Sequence, residues 1–112
     1  MSRPIPISLL IHSAALNDVI TDNYQAEQDN LAAMLYHVRI EPSERVVTNA
    51  NGTDIQCTAM MFVDAMNSLP SGIIISVGQS VVWEGVRYKV VDVQRLYDES
   101  KLHHLEVELA DG

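Results

Sequence analysis

Three groups of side chains in this sequence are of types that do chemistry. His103, His104 and Glu106 stand together near the C-terminus. Two imidazoles and a carboxylate suggest a metal centre. Cys57 is the one cysteine, and His12 and His37 are available as bases. A thiol with an imidazole is the pairing of a covalent nucleophile. The third group is a run of carboxylates, Asp92, Asp98, Glu99, Glu106, Glu108 and Asp111, crowding the C-terminal end.

Each group weakens against the element that must carry it. Adjacent strand residues point to opposite faces, so His103 and His104 are not expected to chelate one ion together. His104 and Glu106 share a face, but two ligands fall short of a structural zinc site. No metal is expected, and the histidines read as structural or interface residues. Cys57 lies in mid-strand on an apolar face between Ile55 and Ala59. A thiol there is a small core residue, inert for want of an activating cation. Gly52, Gly72, Gly78 and Gly85 are isolated turn glycines, not a phosphate cradle. No Gly-x-Ser-x-Gly, P-loop or dinucleotide fingerprint is present. The expectation is no catalytic residue and no cofactor.

The elements point to an all-β fold. From Val77 to Leu109, β-branched and aromatic residues are cut by tight-turn signals. Glu84-Gly85 between SVVW and VRYKVV predicts a β-hairpin. Val86, Tyr88 and Val90 share a face, but Val91 and Val93 continue out of phase, which predicts a β-bulge between Val90 and Val91. The last strand alternates, with His103, Leu105, Val107 and Leu109 on one face and His104, Glu106 and Glu108 on the other. Upstream, Ile5, Ile7, Leu9 and Ile11 alternate as a first strand, behind a proline-punctuated extended arm over residues 1–6. Ala14 to Gln28 reads as loop. Gln25 to Leu35 leaves room for one short helical turn. Tyr36 to Ile40 reads as strand, stopped by Pro42. Asn49 to Gly52 is a turn. Ile55 to Ala65 reads as one long strand, and Ile73 to Val77 as another. About six short strands in 112 residues predict one domain, a small β-barrel or sandwich spanning residues 1–112.

Charge narrows the function classes. The net charge is −8. Nucleic-acid binding needs a basic stripe, and adsorption to anionic membranes needs cations too, so neither is expected. The apolar runs fall short of a membrane span, and no signal peptide is legible, so synthesis in a cytoplasm is expected. Protein partners remain. Met60 and Phe62 sit opposite the predicted core face, either covered by Ala14–Gln28 or a second sheet, or forming a subunit contact. Trp83 flanks the hairpin turn, as a barrel plug or an interface anchor. The C-terminal carboxylates read as a solvated face. If copies formed a ring, Glu106 and Glu108 could line a negative lumen.

Several stretches, in order along nearly the whole chain, resemble minor capsid proteins of tailed phages and prophages of Gram-positive bacteria. They are Arg3-Pro4-Ile5-Pro6 with Leu9-Leu10-Ile11-His12-Ser13, then Val38-Arg39-Ile40-Glu41-Pro42, then the Ile55–Asp64 strand. Last come Tyr97-Asp98 and Leu102-His103-His104-Leu105-Glu106-Val107-Glu108-Leu109. The Tyr24–Leu35 segment departs from the pattern. The resemblance implies a non-enzymatic virion protein at the head–tail junction, made in the bacterial host cytoplasm. It would be a head-closure connector forming a homo-oligomeric ring beneath the portal and adaptor and presenting a surface to the tail. Two other classes stay open: a tail-terminator, tail-tube or other small protein-binding barrel, and an enzyme built on Cys57 or the histidines.

Overall fold

A computed structural model describes residues 7–112 of the chain. The extended arm expected over residues 1–6 lies outside the described residues. Eight strands follow one 3-10 turn at Ile7–Leu9: β1 His12–Thr21, β2 Glu27–Pro42, β3 Val46–Thr48, β4 Asp54–Gln56, β5 Ala59–Asp64, β6 Ser80–Trp83, β7 Val86–Asp98 and β8 Lys101–Asp111. Six of them form a closed antiparallel barrel in the order β1-β2-β5-β8-β7-β6, and β3 and β4 make a separate two-stranded ribbon.

Alternation along the strands builds the core. Val38, Val63 and Leu105 lie level across β2, β5 and β8, as do Ile40, Met61 and Val107. All six are buried. Leu16, Leu35 and Val81 complete the far wall. The bulge expected after Val90 is present, as a register shift between Val90 and Asp92. The extra residue lets Val90 and Val93 both pack on the core. The hairpin at Glu84 and Gly85 also forms, with φ of 50° and 77°. Two positive φ values match the right-handed twist of the flanking strands.

Five expectations are corrected. The strand placed over Ile5–Ile11 is a 3-10 turn in its described part, and β1 begins at His12. The supposed loop Ala14–Gln28 is mostly β1 and the start of β2, and the possible helical turn at Gln25–Leu35 is strand. A register shift between Leu16 and Asn17 breaks the alternation there. The long strand through Ile55–Ala65 divides at Cys57–Thr58, because β4 belongs to the outer ribbon and β5 to the barrel. Ile73–Val77 pairs with no strand. It belongs to the connection from β5 to β6, which turns inward so that Ile75 is buried while Leu69 and Ile73 pack on the core. The Arg95 guanidinium donates to the Ile75 carbonyl at 2.8 Å and holds this plug in place.

Leu16 is fully buried and Leu31 is 63% exposed. Leu16→Ala should therefore cost about 3 kcal/mol of stability. Leu31→Ala should stay within about 0.5 kcal/mol. Thermal or denaturant unfolding of the two variants measures the contrast, and equal losses would contradict this packing.

Candidate functional site

The two histidines meet, against the expectation from simple alternation. A register shift between Leu96 and Tyr97 leaves His103 as the extra residue opposite β7. The bulge turns its ring onto its neighbour. The two Nδ1 atoms are 2.7 Å apart, and His104 Nε2 is 3.2 Å from Glu106 Oε2. At 2.7 Å the nitrogens stand at hydrogen-bond distance, too close to flank an ion. Among the described residues, no three His, Cys, Asp or Glu side chains converge as metal ligands would.

Glu108 is the main correction among the site residues. Alternation places it outside the barrel, and the solvated-face reading followed from that. It is instead fully buried, so it does not border open solvent as a lumen residue would. The segments flanking the β3–β4 ribbon cover it. Ser43 Oγ donates to its Oε2 at 3.0 Å, and Arg45 Nη1 stands 3.7 Å from its Oε1. With its amide turned as these neighbours require, Gln94 accepts from both Arg45 Nη1 and Nη2 at 3.2 Å. The ribbon's base is tied down by the Cys57 amide donating to the Arg45 carbonyl at 2.8 Å. A carboxylate held this far from water needs such partners, since desolvating a charge is costly.

Cys57 shares this enclosure and is 1% exposed. Burial pushes its thiol up to about 11, and the nearby Glu108 carboxylate adds to the shift. Arg45 pulls the other way but contributes less. The thiolate is the reactive form, so this cysteine is a poor nucleophile at neutral pH.

The suggested interface residues divide. Trp83 packs against the core, with its ring edge-on to His12 at 4.8 Å between centroids. Met60 and Phe62 are half-buried on the outer face. The Ala14–Gln28 segment forms wall and hairpin and does not make a separate layer over them. Phe62 instead lines a groove of about 210 Å³ with Leu9, Leu10, Arg39 and Glu41. Glu106 is partly exposed.

Sequence reasoning missed the ties that hold the β1–β2 hairpin. Arg87 grips Asp29 with two bonds of 2.9 Å, and Lys89 Nζ reaches Glu27 at 2.9 Å. The Arg87 bond holds the Asp29 carboxyl below its ordinary range, and the Lys89 bond does the same for Glu27. These partners lie about sixty positions apart, and only the register brings them together. The hairpin also presents Ile20, Tyr24, Leu31 and Tyr36 to solvent.

A barrel whose outer surface carries ordered hairpins and exposed apolar side chains is a framework for contacts with other proteins. The chain belongs to the minor capsid protein family: the model of that family matches residues 6–109. It is therefore a structural component of a bacteriophage virion, and that membership points away from an enzyme. No curated protein and no solved structure matches it.

Removing Arg45 should leave Glu108 buried with one partner fewer. The Arg45 side chain is 45% exposed, which tempers the loss. Arg45→Ala should cost about 2 kcal/mol, less than a fully buried pair. Arg39→Ala, which breaks the exposed pair with Glu41, should cost at most about 0.5 kcal/mol. Denaturant midpoints decide between them.

The Cys57 thiol should stay silent to a disulfide reagent at pH 8 until the protein unfolds. The unfolded chain releases this proton near 9.0 and the folded one near 11. Stability conferred by the protonated thiol is complete below pH 9 and lost as pH rises towards 11. The slope is about 1.4 kcal/mol per pH unit at most. Cys57→Ala should flatten that limb, and an unchanged limb would contradict the assignment.

Proposed function

We propose that this minor capsid protein is a head-closure connector at the head–tail junction, assembling as a ring of copies beneath the portal and adaptor. The observation that carries this reading is the apolar outer surface of β2. Leu31 and Tyr36 are 63% and 56% exposed on a strand that pairs with β1 along its outer half. Apolar side chains presented by a rigid element suit a protein that is buried between neighbours in its working state.

Charge supports the same placement. Fifteen carboxylates face seven Lys and Arg residues. Arg39, Arg45, Arg87 and Lys89 are engaged with carboxylates of the chain itself. A surface left with unpaired negative charge repels packaged DNA and so suits the wall of a conduit. Glu106 fits such a lumen. The portal and adaptor on one side and the tail on the other are the partners this reading requires. Contact would order the exposed side chains of the hairpins as each copy joins.

Electron microscopy of a lysate from phage carrying an early stop in this gene tests the placement. Tailless heads that have lost their DNA, beside free finished tails, are the expected result. DNA-filled heads beside missing or overlong tails would move the protein to the tail. Normal virions would contradict a structural requirement altogether.

A further inference from the structure

Asn51-Gly52 is the only asparagine–glycine step in the chain. An asparagine is chemically labile where the next residue has no side chain to shield its amide nitrogen. Both residues are exposed at the tip of the β3–β4 ribbon. A side chain added at Gly52 would meet nothing within 4 Å, so the fold builds no wall around this step. The Asn51 side-chain amide makes no hydrogen bond among the described residues.

The backbone, in contrast, is held. The Gly52 amide donates to the Asn49 carbonyl at 3.0 Å, three residues back. Neither Ala50 nor Asn51 has a positive φ, which makes this a type I turn. Gly52 follows at φ 80°, and the Asn49 amide closes the loop by donating to the Thr53 carbonyl at 2.9 Å. Asn49 then braces the turn with its side chain. Its Oδ1 accepts from the Asn51 amide at 2.9 Å and from the Thr53 amide at 3.0 Å.

Two features of the closed turn oppose attack of Gly52 on Asn51. The Gly52 nitrogen must give up its proton to act as a nucleophile, and that proton is engaged by the Asn49 carbonyl. Asn51 also occupies the third turn position, where ψ is about 0°. A ring between Asn51 Cγ and the Gly52 nitrogen requires the intervening peptide to rotate well away from that angle.

We propose that Asn51 is a self-modification site, a deamidation step gated by Asn49. While the turn is closed the step is held off. When the ribbon tip opens, the Gly52 nitrogen attacks Asn51 Cγ. A C–N bond forms to give a cyclic imide and the Cγ–Nδ2 bond breaks. The displaced nitrogen leaves as ammonia, carrying the proton that the Gly52 amide gave up. Water then opens the imide at either carbonyl, leaving aspartate or isoaspartate at position 51. Either product adds a negative charge at the tip. Isoaspartate also routes the main chain through its side-chain methylene, which the type I turn does not accommodate. The step is one-way, so the modified fraction records how long a chain has stood with its tip open. This holds whether or not copies of the chain form a ring.

The test follows conversion of Asn51 by peptide mass spectrometry while the full chain is incubated in mildly alkaline buffer. The same chain in guanidinium chloride gives the ungated rate. The folded chain should convert at least about tenfold more slowly than the unfolded one, since local opening must come first. Asn49→Ala removes both side-chain braces and should speed the folded chain by about tenfold. Asn49→Asp keeps an acceptor oxygen and should stay within about twofold of the unmodified chain. In each variant Cys57 should remain silent to a disulfide reagent, which shows that the ribbon base is still shut.

Equal rates in the folded and unfolded chain would overturn the gate, as would an Asn49→Ala chain no faster than the unmodified one. Acceleration that comes with a reactive Cys57 would move the gate to the ribbon base and overturn the assignment to Asn49. An unfolded chain that leaves Asn51 unconverted would overturn the site itself.

Discussion

The fold depends on a seam of three residue pairs. β6 is four residues long, and it alone joins β1 to β7, with Ala15, Leu16 and Asn17 set against Val82, Val81 and Ser80. Without that contact the sheet has two long edges and no enclosed core. Asn17 reinforces the seam by donating from its side-chain amide to Ser80 Oγ at 3.2 Å, in a buried position. The brevity of β6 shapes the rest. β7 runs past it, and the connection from β5 turns inward to plug the opening with Ile75.

A second constraint operates outside the barrel. Glu108 is a charge in a position that water does not reach, and the segments on either side of the β3–β4 ribbon pair with it. A ribbon of three residues per strand has little stability of its own. Its orientation follows from that polar anchor and from the Cys57 amide bond, not from a core. The β1–β2 hairpin is likewise held at its outer part by Arg87 and Lys89. The chain thus spends much of its scarce positive charge on aiming its projections, and its remaining surface is acidic. In a capsid protein, projections with a set direction are what neighbouring subunits can read.

Much of the fold is legible in the sequence where alternation and turn chemistry agree. β8, the Glu84–Gly85 hairpin and the bulge after Val90 are of this kind. Two turns show where legibility stops. Asn49 accepts from the amides of Asn51 and Thr53, with Gly52 at φ 80°. Asp22 accepts from those of Tyr24 and Ala26 in the same way, with Gln25 at φ 65°. The turns are equivalent, but glycine marks only one of them, so β1 and the start of β2 were hidden behind polar residues. The outer end of β2, Glu27–Asn30, is exposed throughout and also lacks an apolar period to reveal it. Glu108 escapes the alternation for another reason. Alternation separates inside from outside the barrel, and says nothing of a ribbon that covers the outside. The contact between His103 and His104 required a bulge that no residue type announces.

The central claim is that this barrel forms part of the channel wall where head meets tail. Cryo-electron microscopy of the virion, with the portal vertex reconstructed at its own symmetry, tests it most directly. The account predicts a ring of six-stranded barrels just below the portal, encircling the DNA path. Density for the same barrel in the capsid shell or along the tail, with the junction occupied by other chains, would contradict it.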